Sequence, residues 1–415
     1  MQDPQALSLA GELPLAGLRI LDLTRLLPGG YATQMLADLG ADVLKIEEPG
    51  AGDYSRHTPP LVHGVGQAFL AVNRNKRSAA LNLKHPAGRE ALLRLVDRVD
   101  VLVESFRPGV MDRLGLGYDS LRARNLRLVI CTITGYGQNG PYRDRPGHDL
   151  NYIGYAGLLA HLRRPGAPPA LPGAQLADIA GGGLMAVVGI LAALVGRTAT
   201  GQGRVVDVSM LDGSLALLPL LASNVLNGQG EAAPEEFILN GWLPGYNIYQ
   251  TADGRFVTVG ALEPKFWAEL CTRLGRPDLI AFQFPADAAE RAATMDELAS
   301  IFRTKSRDEW VAQLGGTDAC VGPLNTLEEA LADPQVRARA VAFPVSYSGE
   351  PGEGLRTTPL ISEAPVAQRM ELSGLGQHTA EALAAAGYTP GEIAALSREG
   401  AIAVGESAAE TSTPA

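Results

Sequence analysis

The chain has 415 residues and a mass of 43.6 kDa, with 46% hydrophobic residues, a mean hydropathy of +0.05 and a formal net charge of −10. That length exceeds one ordinary domain, and the apolar content supports a sizeable core and excludes global disorder. A pI of about 5.2 argues against a general nucleic-acid binder. Three widely spaced cysteines (Cys131, Cys271, Cys320) argue against a disulfide scaffold or a CxxC metal site and suit a reducing cytosol.

The first fifteen residues have neither the basic start nor the long apolar core of a signal peptide. The first half then alternates strand and helix patterns. Gly17 to Leu23 predicts a strand. Gly30 to Gly40 predicts a helix ending at a glycine C′ residue, and Ala41 to Ile46 a second strand. Lys84 to Val99 is amphipathic, with His85-Pro86 at its start. Val101 to Glu104 and the near-continuous apolar run Leu126 to Thr134 predict further strands, the latter buried on both faces. This alternation implies a parallel sheet in an α/β domain.

Residues 181–197 and 211–227 predict two long buried helices, the first too short for a bilayer span and the second interrupted by Pro219. Tyr246 to Gly260 predicts two strands joined at Ala252-Asp253-Gly254, followed by helices at Pro264 to Leu274, Met295 to Phe302 and Ser306 to Leu314. The expected organisation is a large α/β domain over 1–229 and a small α+β domain over 230–330. Residues 331–405 return to the large domain and end in a helical hairpin, Thr379 to Ala386 and Pro390 to Gly400. Residues 406–415 are expected to be a disordered tail.

Gly135-Tyr-Gly137-Gln-Asn-Gly140 matches GxGxxG after a strong strand, but Pro141 and Pro146 follow where a dinucleotide site needs a helix, so these glycines are expected to shape a tight loop. Pro146-Gly147-His148-Asp149 closes that loop, and a histidine there is well placed for a crevice at the sheet edge, although a structural hydrogen bond would account for it equally well. Asp178 precedes Ile-Ala-Gly-Gly-Gly and a long apolar helix. The plain reading is an N-cap; the three glycines allow another backbone or a ligand to come close. Glu263 sits between a strand and a helix, where a first-turn acid is ordinary. Arg74, Lys76, Arg77, Lys84, Arg107 and Arg113 lie around three strand ends. They form either a solvated face or, in so acidic a protein, a site for a phosphorylated ligand.

Six segments carry a resemblance: Pro14 to Asp22, Leu36 to Glu47, Leu81 to Lys84, Glu104 to Gly109, Thr134 to Pro141 and Gly147 to Tyr152. With Gly201 to Asp207, Thr317 to Pro323 and the C-terminal hairpin, they are similar to the family III CoA-transferase superfamily, the CaiB/BaiF group, over roughly residues 14 to 403. The resemblance implies a Rossmann-like large domain with a smaller α+β domain, in a homodimer of interlocked chains. It implies an acyl-CoA thioester as substrate, with coenzyme A entering as part of the substrate and no permanently bound cofactor or metal. A cytoplasmic enzyme without nucleic-acid or membrane partners is expected.

Leu81, Lys84, Phe106, Arg107 and Arg113 match positions that hold coenzyme A in the family, and Gly147 and Tyr152 fall in the same matched segments. Glu48 departs from the family pattern, which often carries arginine there; Arg56 is a candidate to compensate. Asp178 matches both the transferase nucleophile and one base of the α-methylacyl-CoA racemases. His148 matches the racemases' second base, and Glu263 the glutamate that orients it. A backbone N–H near Asp149 is the expected donor to an enolate oxygen. The resemblance is closest to the racemase branch, which inverts a carbon through two acid/base groups. The alternative is transfer of coenzyme A between acids through an acyl-aspartyl anhydride. A non-catalytic CoA-binding protein is a third, weaker reading.

Overall fold

The computed structural model describes residues 13–162, 167–231, 233, 236–347, 350–361 and 372–405. The expected tail, 406–415, lies outside them. The strands in chain order are β1 (Arg19–Leu23), β2 (Asp42–Glu47), β3 (Leu61–Val62), β4 (Val65–Gly66), β5 (Lys76–Leu81), β6 (Val101–Glu104), β7 (Val129–Thr134), β8 (Val205–Ser209), β9 (Tyr246–Gln250), β10 (Phe256–Gly260), β11 (Val321–Pro323), β12 (Ala342–Tyr347), β13 (Glu350–Leu355) and β14 (Ile402–Ala403). They fall into two compact units, one of residues up to 158, 172–218 and 340 onward, the other of 159–171 and 219–339.

The first unit is built on a seven-stranded sheet of order β14-β5-β2-β1-β6-β7-β8, parallel except for β14. All six residues of β7 are buried, as its unbroken apolar run requires of a strand covered on both faces. Helix Pro86–Val96 opens with proline at its first position, where the missing N–H removes no bond, and the His85 ring accepts the Ala87 N–H at 3.2 Å. Helix Leu26–Asp38 starts four residues earlier than its apolar spacing suggests. It ends where expected, before Gly40, whose φ of +105° and close approach to Leu13 leave no room for a side chain. Strands β5 and β8 were not evident from the sequence. Leu21, Leu44, Leu92, Leu102 and Ile130 form the core on one face, joined by Leu383 and Ile393 of the C-terminal hairpin (Thr379–Ala385 and Pro390–Arg398).

The two expected buried helices need correction. Residues 177–200 form one helix, π-helical over Ala177–Leu184 and α-helical over Met185–Thr200, which packs on helix Leu26–Asp38 and on β7 and β8. Among the described residues it alone has the length and composition to cross a membrane, and Leu184, Met185, Val188 and Val195 are exposed on it. The second run is two short helices, Met210–Leu215 and Pro219–Leu226, broken at Pro219 because proline cannot donate into a continuing helix. The latter buries no residue.

The second unit has the antiparallel sheet β11-β10-β9, with the β9–β10 turn at residues 252–254 as its Asp-Gly pair predicts. Helices Pro264–Arg273, Ala288–Phe302 and Arg307–Leu314 accompany it, and Trp267, Leu298, Phe302 and Trp310 lie in its core.

Candidate active site

In the first unit the sheet order reverses direction between β1 and β6: β2 and β5 lie to one side of β1, and β7 and β8 lie beyond β6. The loops at the carboxyl ends of these two strands therefore diverge and leave a crevice, the usual ligand position in an open parallel sheet. A cavity of about 520 Å³ occupies it. Arg25 and Leu26 after β1, Tyr54 after β2, Ser105 to Pro108 after β6, Gly135 and Tyr136 after β7, and Met210 after β8 line it, together with Arg143, Arg145, Gly147, His148, Tyr152 and Asp178.

Buried charge fixes the floor. Asp22 at the end of β1 accepts from Thr24 Oγ1 (2.5 Å), Thr33 Oγ1 (2.6 Å) and Lys76 Nζ (3.1 Å). Burial opposes its ionisation, yet the ammonium groups of Lys45 and Lys76 hold its carboxyl well below the usual range. Lys45 also donates to the Thr24 carbonyl at 2.7 Å and pairs with Asp53 at 3.2 Å, and Asp53 in turn accepts the Leu26 N–H at 3.3 Å. Leu26 has a φ of +62°, a left-handed conformation uncommon for a bulky side chain; it lines the cavity, and its N–H is tied to this charge network through Asp53.

Asp178 is not the N-cap that its sequence position suggests. It is the second residue of the helix, and its N–H donates to Asp149 Oδ1 at 3.0 Å. Burial, with the negative charge of Asp149 adding to it, pushes the Asp178 carboxyl up to about 7. The π-helical turn here is of a kind often found at functional sites. What approaches the first of the three glycines, Gly181, is another backbone: a methyl group on Gly213 would lie 2.2 Å from the Gly181 carbonyl, so helix Met210–Leu215 can dock against the Asp178 turn only with glycines at the crossing.

His148 is exposed at the head of helix Asp149–Tyr155, where its N–H donates to Asn151 Oδ1 at 3.0 Å. Tyr152 of that helix is buried and donates its hydroxyl to the Gly147 carbonyl at 2.5 Å. Side chains at Gly135 or Gly147 would strike its ring. As expected, no helix follows the GxGxxG run, which forms a loop in which the Gly137 and Gln138 N–H groups donate to Thr134 Oγ1 and Asp207 Oδ2.

The structure thus brings His148, Asp149, Asp178, Gly147, Tyr152, Phe106 and Arg107 together at one end of the sheet. Glu263 belongs to the second unit, where it holds the N-cap position of helix Pro264–Arg273 without a side-chain bond to the helix, and its charge bears on Cys320. Leu81 lies fully buried in the core of the first unit, its strand paired with β14, so its side chain serves packing. Lys84 is 80% exposed and pairs with Glu48 at 2.9 Å, and Glu48 also meets Arg25 at 3.3 Å. Arg113 is exposed in the short turn Val110–Arg113.

Half of the basic set is corrected. Lys76 and Arg77 open β5, which lies between β14 and β2, and both are spent on carboxylates: Lys76 on Asp22, and Arg77 on Asp42 at 2.7 Å. Arg74 is buried against Asp38 and donates to the Leu355 carbonyl. Arg56 does not compensate for Glu48, because its guanidinium is buried in a two-point pair with Glu47, both contacts at 2.8 Å. The sequence reading missed Arg25, Arg143, Arg145 and Tyr136 on the cavity wall. A usable signal was the tyrosine spacing. Tyr136, Tyr142, Tyr152 and Tyr155 pack with ring centroids 5.2 to 5.7 Å apart, and Arg145 lies over Tyr142. Among the described residues, no three His, Cys, Asp or Glu side chains group as a metal site.

An α/β unit whose crevice is lined by an acid near a helix crossing, a histidine and several arginines suits an anionic ligand at the carboxyl edge of its sheet. Residues 15–379 match the CoA-transferase family III profile, and the chain belongs to that family. It is 37% identical to the α-methylacyl-CoA racemase of Mus musculus over 385 residues, covering 92% of this chain and 96% of the racemase. It is 34% identical to the succinate–glutarate CoA-transferase of Agrobacterium fabrum over 391 residues, covering 89% and 95%. Its fold is similar to that of a CaiB/BaiF family protein from Brucella suis, with a TM-score of 0.78 and 32% identity, covering 91% of this chain and all of that one. Members with racemase and with transferase names therefore stand at similar distance, and acyl-CoA is the substrate of the family.

Proposed function

We propose that the protein is a racemase of 2-methylacyl-CoA thioesters that works by two-base proton transfer through an enolate. The observation that carries this reading is Asp178, whose carboxyl is pushed up to about 7 in a cavity also lined by His148. A group that removes and returns a proton works best with a pKa near the working pH, whereas a carboxylate nucleophile gains nothing from being half protonated. One of the pair takes the α-proton, charge moves onto the thioester oxygen, and the other delivers a proton to the opposite face. Inversion needs two acid/base groups on opposite faces of one carbon, one deprotonated and the other protonated. The Asp149 N–H, in the first turn of its helix and so without an intrahelical acceptor, is the proposed donor to the enolate oxygen.

The same reading includes a homodimer, supported by the apolar side chains exposed on the Ala177–Thr200 helix, and a cytoplasmic location, supported by three free cysteines. Transfer of coenzyme A through an acyl-Asp178 anhydride is the second reading, favoured by the 34% identity to a transferase. His148→Ala separates the two. Interconversion of the 2-methylacyl-CoA stereoisomers should disappear in this variant if the protein is a racemase. If it is a transferase, the wild type shows no such interconversion, and His148→Ala should retain part of the transfer of coenzyme A to an acceptor acid.

A further inference from the structure

Glu104, the last residue of β6, is a buried carboxyl group for which the proton-transfer chemistry has no use. Its Oε2 accepts the Phe106 N–H at 2.7 Å, and its Oε1 accepts the Tyr118 hydroxyl at 2.6 Å. Among the described residues no lysine or arginine pairs with it, and burial pushes its carboxyl up. So placed, it is an expensive residue to keep for packing alone.

The four residues next in the chain explain its place. Ser105, Phe106, Arg107 and Pro108 all line the cavity, and Ser105 Oγ accepts the Arg25 N–H at 3.2 Å, which ties this wall to the one after β1. A chain leaving a strand loses its ladder bonds, and its amides need other acceptors. Glu104 is the acceptor for the first turn of this wall. Tyr118, from helix Tyr118–Arg124, holds the carboxylate in place from behind.

We infer that Glu104 is a positioning residue, clamped by Tyr118, which fixes the Phe106 amide and through it the aromatic and cationic wall that receives an acyl-CoA. This inference rests on the acyl-CoA reading of the cavity, whichever chemistry comes after binding.

Calorimetric titration of the full chain with coenzyme A, alongside amide exchange of residues 105–108 in the ligand-free protein, tests it. Glu104→Gln keeps an acceptor for Phe106, and tyrosine can accept from its amide, so affinity should stay within about threefold of wild type. Glu104→Leu removes the acceptor. Affinity should fall by about tenfold or more, with faster exchange at Phe106. If that variant does not fold, Tyr118→Phe decides, with an expected loss of about threefold and faster exchange. Wild-type affinity and exchange in Glu104→Leu, or in Tyr118→Phe where the former is not folded, overturns the inference. A wild-type protein that ignores coenzyme A defeats the acyl-CoA reading instead; the exchange at Phe106 then still decides whether Glu104 fixes the wall.

Discussion

The Asp149 carboxylate accepts the backbone N–H of Asp178 at 3.0 Å, which sets a second acid next to the one that lines the cavity. Burial is the larger reason that Asp178 titrates near 7, and the charge of Asp149 adds to it. Asp149→Asn keeps an acceptor for the amide and removes the charge. In this variant Asp178 should ionise at lower pH. For the stereoisomer whose proton Asp178 removes, the acidic limb of the rate profile, near pH 7 in the wild type, should move down, with a severalfold gain at pH 6 relative to the plateau. An unmoved limb would show that the side chain of Asp149 has no electrostatic hold on Asp178.

The same raised pKa has a consequence for stability. Asp178 ionises near 7 in the folded chain against 3.8 when exposed, so the folded state is penalised once the pH rises above the unfolded value, and fully so above 7. Asp178→Asn removes the charge. It should raise the free energy of unfolding at pH 8, by up to about 4 kcal/mol, and leave it unchanged below pH 4. Urea titrations at the two pH values measure the difference while activity is lost.

Asp22 has the opposite sign. Its carboxyl is held low by Lys45 and Lys76 against the penalty of burial, so its contribution is present above the ordinary carboxylate range and is lost as the pH falls through the folded value. Asp22→Asn leaves two buried ammonium groups less compensated, and should destabilise the protein by about 3–5 kcal/mol at neutral pH. A denaturation midpoint equal to that of the wild type would contradict the structural role given to this network.

The arginines separate by location. Arg107 lines the cavity and forms no ion pair among the described residues, whereas Arg77 is committed to Asp42 and Glu381. Arg107→Ala should weaken coenzyme A binding by about tenfold or more, with a shallower salt dependence, because a charge-assisted contact is lost. Arg77→Ala should leave that affinity unchanged.

Chemical patterns of short range were legible in the sequence. The β1 and β7 strands, the Pro86 helix start, the β9–β10 turn and the helical hairpin after 379 follow from local spacing and caps, and the absence of a helix after Gly140 follows from two prolines. Pairings across long stretches were not legible. Lys76 reads as a surface cation until β5 is seen to bury it against Asp22, 54 residues away in sequence. Arg56 and Glu47 likewise look free until the chain folds them into a two-point pair. Asp178 reads as a cap because nothing local reveals that Asp149, 29 residues earlier, meets its amide. The Tyr136 cluster was open to notice, since its four members fall within twenty residues.

Two-base racemisation makes one demand that CoA transfer does not: the α-hydrogen must leave the substrate and be replaced from the solvent-exchanged acid. Incubation of the protein with a 2-methylacyl-CoA in D₂O, with mass spectrometry of the recovered thioester, reads this directly. Two-base chemistry predicts deuterium at the α-carbon together with interconversion of the stereoisomers, and loss of the interconversion in His148→Ala and in Asp178→Asn, each variant retaining exchange only for the stereoisomer that its remaining base faces. No α-deuterium with any 2-methylacyl-CoA, alongside movement of coenzyme A to an acceptor acid and a trappable acyl-Asp178, would contradict it.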